Sequence, residues 1–205
     1  MIDCGADWLG LVERISPTAI VLTHAHPDHA FGLANGAPCP VYATEDTWRA
    51  LAKYPIGDRR VVRPRTPLRI GKVRFEAFPV EHSIRAPAVG YRIGAEGVTF
   101  FYVPDLVAIR DPRDALRGVA LYIGDGATVT RSMVRRRDHV PIGHSAITTQ
   151  LGWCRKEGVG RAIFTHCGSE IVRSDARAVN ARVRRLGEEH GVEASIAHDG
   201  LTLSI

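Results

Sequence analysis

The sequence predicts an α/β protein built as a single layered domain over residues 1–205. Three observations predict it. The middle of the chain is a series of short β-branched or aromatic runs broken by glycine and proline, the pattern of strands joined by tight turns. The last third alternates strand-like with helical runs, so both element types share a core. No repeat, low-complexity tract or linker divides the 205 residues, a length that suits one sizeable core.

Taken in order, residues 2–5 read as a strand end turning at Gly5, residues 9–14 as a short helix, and the apolar residues 19–23 as a buried strand. Residues 31–33 start a short helix and 41–43 form a brief strand. Thr44 then caps a helix over 45–53, with acids in its first turn and Lys53 in its last. Strands follow at 61–62, 68–70, 73–80, 88–93 and 98–103, with Gly71-Lys72 and residues 94–97 as hairpin connections. Another strand spans 119–123. A helix over 145–156 stops at Gly158, a strand covers 162–165, and a long arginine-rich helix runs over 174–190 to Gly191. Strands at 194–197 and 201–205 close the chain.

Composition sets limits on function. The chain is 45% hydrophobic and 24% charged, ordinary for a globular protein, and its net charge of +5 favours anionic partners such as phosphate esters or nucleic acid. With 7% aromatic residues and no basic–aromatic interleaving, a stacking platform for single strands is not indicated. No apolar run has the length to span a bilayer, and the start lacks a basic-then-apolar leader. Cys4, Cys39, Cys154 and Cys167 lack C-x-x-C spacing and read as reduced thiols of a cytoplasmic protein.

The densest chemistry lies at Thr23-His24-Ala25-His26-Pro27-Asp28-His29, directly after the apolar run. Three imidazoles and a carboxylate this close would be a costly way to fill a core, since each buried ring needs a polar partner. They are a natural way to bind metal. On a strand His24 and His26 share a face, so the spacing predicts one ion at His24 and His26 and a second at Asp28 and His29. Two ions need more ligands, and strand ends are where rigid elements position loop side chains. His82, Asp105, Asp125 and His166 each follow a predicted strand. Singly, an aspartate beside glycine is more often a turn residue and a lone histidine a surface one; as an ordered set they carry more weight.

The order His24-x-His26-x-Asp28-His29, then His82, Asp105 and His166, resembles the dinuclear site of the metallo-β-lactamase superfamily, and the likeness runs from Asp3-Cys4-Gly5 to Asp199-Gly200-Leu201. The resemblance implies a four-layer αββα sandwich. It also implies two divalent ions, zinc or manganese: one on His24, His26 and His82, the other on Asp28, His29 and His166, with Asp105 bridging. Asp125 is the runner-up bridge, better suited to supporting a ligand from behind. That family has several strands before the Asp3-Cys4-Gly5 region. Either the N-terminal sheet is shortened here or the chain lacks its native beginning, and a trimmed sheet exposes an edge that could drive homodimer formation.

His144, which precedes a predicted helix and lies ahead of His166, is similar to a feature of the phosphodiesterase branch of that superfamily. Only 22 residues separate His82 from Asp105, which leaves no room for the substrate arm of the transfer-RNA-processing ribonucleases. The cyclic-phosphate phosphodiesterases of phosphonate degradation are the closer likeness. The implied reaction is hydrolysis of a small cyclic or diester phosphate through a metal-bridged hydroxide, with Asp28 and His144 as catalytic residues. His144 would stabilise phosphoryl oxygens or protonate the leaving alkoxide; its plainer reading is a helix N-terminal residue bonded to backbone. Asp3 could orient a ligand imidazole or simply end a strand. Arg135-Arg136-Arg137 could grip phosphate, but reads better as a solvated face. The alternatives are an acyl hydrolase of the same superfamily, acting on a thioester, lactone or β-lactam, and a non-catalytic metal- or nucleic-acid-binding protein.

Overall fold

The computed structural model describes residues 1–203. Its first part is a small parallel sheet with helices on one side: α1 (Val12–Ile15), β1 (Ile20–Val21), α2 (Pro27–Ala30), β2 (Val41–Ala43), α3 (Glu45–Ala50) and β3 (Arg59–Val61), in strand order β1-β2-β3. Ile2 adds one bridge to Val21. The sheet's edge strand β3 carries Arg59 and Arg60, charges of the kind that blunt edge-to-edge pairing.

The larger sheet comprises β4 (Leu68–Ile70), β5 (Val73–Glu81), β6 (Ala88–Ala95), β7 (Val98–Tyr102), β8 (Ala108–Ile109), β9 (Leu121–Asp125), β12 (Arg161–Thr165) and β13 (Glu193–Ile196). Between them lie α4 (Pro112–Ala115), the hairpin β10 (Arg135–Arg137) and β11 (Val140–Ile142), α5 (Ile147–Glu157), α6 (Ser169–Val172) and α7 (Ala176–His190). The order is β13-β12-β9-β7-β6-β5-β4, with β8 pairing β5.

Period-two alternation divides the core into three layers. Val21, Tyr42 and Val62 from the small sheet meet Phe75, Ala77, Val89, Tyr91 and Ile93 from the large one. The opposite face of the small sheet (Ile20, Val41, Ala43) packs on Val12, Leu33, Trp48 and Leu51. The opposite face of the large sheet (Phe78, Val80, Phe101, Tyr122, Phe164) packs on α5 and α7 through Ile147, Leu151, Cys154 and Val183. The helical contacts recur at i, i+4 and i+7, the stripe of an amphipathic helix. Three apolar layers between helix, sheet, sheet and helix make the αββα sandwich.

Several elements differ from the sequence reading. The helix expected over 9–14 is a 3₁₀ turn at Ala6–Trp8 and then α1, separated at Gly10, whose φ of 72° breaks helical geometry. The strand expected over 19–23 is regular only at Ile20–Val21. The strand expected over 201–205 is absent at 201–203, and residues 204–205 lie outside the described residues. The β10–β11 hairpin was not anticipated; it carries Arg135, Arg136 and Arg137, all exposed.

Candidate metal centre

Strand direction gathers the site. β5 and β7 both run antiparallel to β6 and so point the same way, and β9 and β12 are parallel to β7. Their C-terminal ends therefore share one edge of the sheet. His82 follows β5, Asp105 follows β7, Asp125 ends β9 and His166 follows β12. The small sheet delivers His24 and His26 just beyond β1, and α2 carries Asp28 and His29.

All seven residues expected to hold metal come together. One group contains His24, His26, His82 and Asp105, and a second contains Asp28, His29, Asp105 and His166; within each, the potential ligand atoms lie within 4.8 Å of one another. Asp105 belongs to both. Its Oδ2 lies 3.2 Å from His24 Nε2, 2.9 Å from His29 Nε2 and 3.6 Å from His82 Nε2. Its Oδ1 lies 3.0 Å from His166 Nδ1. Asp28 Oδ2 is 3.1 Å from His166 Nε2 and 3.6 Å from His29 Nε2.

Hydrogen bonds behind the rings fix their tautomers. Thr23 Oγ1 donates to Asp3, so it accepts from His24 Nδ1 at 3.0 Å. Asp3 Oδ2 also accepts from His29 Nδ1 at 2.8 Å, and Gly143 O accepts from His82 Nδ1 at 3.0 Å. With the Nδ1 protons so placed, the Nε2 atoms of His24, His29 and His82 face inward, the position from which each can serve as a ligand. His26 Nδ1 approaches His24 Nε2 to 3.0 Å and His82 Nε2 to 3.2 Å, three ring nitrogens crowded on one point.

This donor set fits divalent cations. His29 Nε2, Asp105 Oδ1 and His166 Nδ1 are buried and make no hydrogen bond, although carboxylate oxygens of Asp105 lie 2.9 and 3.0 Å from the two imidazoles. Buried polar atoms without partners are costly, and a cation at their common focus removes the cost. The mixture of imidazole and carboxylate suits zinc, manganese or iron.

The electrostatics follow the contacts. Burial opposes ionisation of Asp105, but His166, His24 and His29 outweigh it and hold the carboxyl well below the usual range. The hydrogen bond from His166 does the same for Asp28. Burial alone would lower His29 and His166, yet the carboxylates of Asp105, Asp3 and Asp28 raise each to about 10. His82 is pushed down to about 4, chiefly by burial.

His144, Asp125 and Asp3 border the two ligand groups. His144 is not a helix-terminal residue bonded to backbone: Ala146 is the N-cap of α5, and His144 Nδ1 lies 2.8 Å from Asp125 Oδ2 and 3.4 Å from Asp105 Oδ1. Burial opposes its charge, and Asp125 overcomes that and raises its pKa. Asp125 belongs to neither of these two groups but forms a third with Asp105, His144 and His166, whose potential ligand atoms also lie within 4.8 Å of one another. Its Oδ2 accepts from His144 and from Leu106 N, its Oδ1 from Ala127 N. Asp3 is the anchor for Thr23 and His29, held at a φ of 56°.

The sequence reading missed Thr23, Gly143 and Gln150. Buried Gln150, on the apolar stripe of α5, donates to Asp125 O and accepts from Asp125 N and Tyr122 Oη. A polar residue at a core position of a helix was the available signal. Close approach also matters at Gly5, where a Cβ would lie 2.0 Å from Asp28 O. The Asp3–Gly5 segment is laid directly on the histidine loop, with Cys4 N donating to His29 O and Gly32 N to Cys4 O.

Comparison with known proteins agrees with this geometry. No curated protein sequence matches the chain. Among solved structures, it is similar to a diphosphatase from the PhnP family, at 24% identity and a TM-score of 0.72 over 98% of this chain and 76% of that one. It is similar to an isothiocyanate hydrolase from Delia radicum gut bacteria, at 17% identity and a TM-score of 0.68 over 95% and 79% of the chains. The short form of human tRNase Z matches at 17% identity and a TM-score of 0.64 over 100% and 87%. At these identities the likenesses speak for the fold, which in this family implies divalent metals. The profile of the Beta-lactamase superfamily domain matches residues 1–167, most of the chain and all seven clustered residues, so the chain belongs to the beta-lactamase superfamily.

Proposed function

We propose that the protein is a metal-dependent phosphodiesterase acting on a small cyclic or diester phosphate. The observation that carries the reading is one carboxylate, Asp105, shared by two ligand groups, with a histidine–aspartate pair, His144–Asp125, against its other oxygen. His24, His26 and His82 would hold one ion and Asp28, His29 and His166 the other, with Asp105 common to both. Bound divalent ions supply Lewis-acid polarisation of a phosphoryl oxygen and activation of water.

The chain's own residues do the rest. Asp3, Thr23 and Gly143 keep three imidazoles in the tautomer that presents Nε2 inward. The Asp105 carboxylate offsets positive charge common to both groups. Asp125 holds the Nδ1 proton of His144 and fixes the ring, leaving Nε2 to hold a proton toward the leaving oxygen. Asp28 is exposed where the other six are buried or half-buried, so it faces the side from which substrate arrives. The net charge of +5 favours an anionic diester over a neutral amide.

The test is turnover of bis(p-nitrophenyl) phosphate by protein loaded with manganese or zinc, with elemental analysis alongside. The reading requires hydrolysis, and it requires His144→Ala to slow turnover while metal content stays unchanged. Turnover of thioesters or lactones alone would assign the protein to acyl hydrolysis. Stoichiometric metal with no turnover of any of these esters would make it a binding protein.

A further inference from the structure

Gln150 lies in the first turn of α5 with its side chain wholly buried. An amide there has two donor hydrogens and an acceptor oxygen to satisfy, at a cost that an apolar residue would avoid. Four bonds satisfy it. Nε2 donates to Asp125 O at 2.7 Å and to Ser145 O at 3.2 Å. Oε1 accepts from Asp125 N at 3.0 Å and from Tyr122 Oη at 2.9 Å.

These partners converge on the pair beside the ligand groups. Asp125 holds the Nδ1 proton of His144 at 2.8 Å, and Ser145 is the next residue after His144. Gln150 therefore grips both halves of the pair through their backbones. On β9 it takes the N–H and C=O of Asp125, and ahead of α5 the carbonyl of the residue that follows His144. Because it bonds to backbone, the carboxylate oxygens of Asp125 stay with His144, Leu106 N and Ala127 N.

The packing is close around this amide. A Cβ at Gly124 would lie 2.4 Å from Gln150 Oε1 and 2.2 Å from the Tyr122 ring, so the residue before Asp125 has to be glycine. Tyr122 is fully buried and stacks on Phe101 with ring centroids 6.2 Å apart, which ties the amide oxygen to the sheet. A buried network satisfied in full fixes one geometry, and here that geometry includes the distance from Asp125 to His144.

We propose that Gln150 is a positioning residue for proton transfer: it holds Asp125 and His144 in register, and so aims the His144 Nε2 proton at the leaving oxygen. This inference rests on the phosphodiesterase reading for its reaction. In that reaction a water-derived oxygen adds to phosphorus, and the bond to the leaving oxygen breaks with its electron pair. The Nε2 proton passes to that oxygen, and His144 recovers one from solvent. A donor displaced by about 1 Å can cost about 10²-fold, most where the leaving oxygen is most basic and most needs the proton.

The test compares thymidine 5′-(phenyl phosphate) with thymidine 5′-(p-nitrophenyl phosphate), since phenol is the weaker acid. Gln150→Met keeps the volume and removes every bond of the amide. In zinc-loaded protein it should lower kcat on the phenyl ester about 10²-fold and far less on the p-nitrophenyl ester, with KM and metal content unchanged. Gln150→Glu, whose neutral acid burial favours, can still donate to Asp125 O and accept from Asp125 N, and should show a smaller loss of the same kind. Leu151→Ala, a core truncation in the same helix, should lower stability without changing the ratio of the two esters. Equal losses on both esters in Gln150→Met, or in Gln150→Glu if the methionine variant does not fold, overturn the assignment. So does the same selective loss in Leu151→Ala.

Geometry keeps the two readings separable. Crystals of the zinc-loaded parent protein should keep the His144 Nδ1–Asp125 Oδ2 separation at 2.8 Å, and the Gln150 variants should lengthen it where Leu151→Ala does not. If neither ester turns over but that separation depends on Gln150, the positioning of the pair stands and the phosphodiesterase reading falls. A separation unchanged in the Gln150 variants overturns the role whatever the esters do.

Discussion

Asp3 Oδ2 lies 2.8 Å from His29 Nδ1, and the same carboxylate accepts the Thr23 hydroxyl that in turn accepts His24 Nδ1. One acid outside both ligand groups therefore orients an imidazole in each. Removing it should loosen both. Asp3→Ala is expected to weaken metal affinity about 10–100-fold, the usual cost of losing such a partner. Asp3→Asn should lose less, since asparagine tolerates the 56° φ and still offers an acceptor. Zinc titration against a competing chelator measures this; unchanged affinity in Asp3→Ala would refute the relay.

Metal uptake should expel protons. In the metal-free chain His29 and His166 stay protonated up to about 10, and each must give up its proton to act as a ligand. Affinity should thus climb as pH rises from 6 toward 10. Calorimetric titrations at pH 7 in two buffers of different ionisation enthalpy count the protons released. A count of zero contradicts the prediction.

Stripping metal should destabilise the fold. Ion at about 100 times its dissociation constant contributes about 2.7 kcal/mol, which for a chain of this size is about 5–10 °C in Tm. Differential scanning calorimetry with and without chelator should show that drop and its reversal on adding back zinc or manganese.

Gly5→Ala should be costly although the change is one methyl group. The new Cβ would sit 2.0 Å from Asp28 O, within the backbone of the histidine loop. Either the N-terminal segment lifts or the loop shifts, and overpacking of this kind costs about 1–3 kcal/mol. The urea midpoint and the metal content should both fall, whereas Gly10→Ala, with open space around it, should leave metal content intact.

Buried thiols give an alkaline limit. Burial pushes Cys4 up to about 11 and Cys154 up to about 12. A raised folded-state pKa gives stability that is full below the unfolded value and is lost as pH rises through the folded one. The urea midpoint should therefore decline above about pH 9. At pH 8, mass spectrometry should find Cys39 and Cys167, both half-buried, alkylated before Cys4 and Cys154.

Much of this was legible in the sequence because the signals were strong and local. His24 to His29 packs its donors into six positions, and strands β4 to β7 are β-branched or aromatic runs broken by glycine and proline. The clustering of His82, Asp105 and His166 was legible because each follows an apolar strand. The partner of His144 was not: Asp125 reaches it across 19 positions, through a loop whose path no periodicity encodes. The β10–β11 hairpin was also hidden, since Arg135-Arg136-Arg137 carries no apolar alternation and pairs with residues 140–142. The helix over 9–14 failed because Gly10 competes with the pattern, and residues 201–203 form no strand because a short apolar run specifies no pairing partner.

The common direction of β5, β7, β9 and β12 leaves the opposite rim of the large sheet with no part in the chemistry. Its tips, Gly71-Lys72 and Glu96-Gly97, are exposed tight turns joining adjacent strands. That rim is where a reporter dye, an affinity handle or an inserted peptide can be grafted with the least disturbance to catalysis, and where immobilisation would leave the working mouth facing the solution.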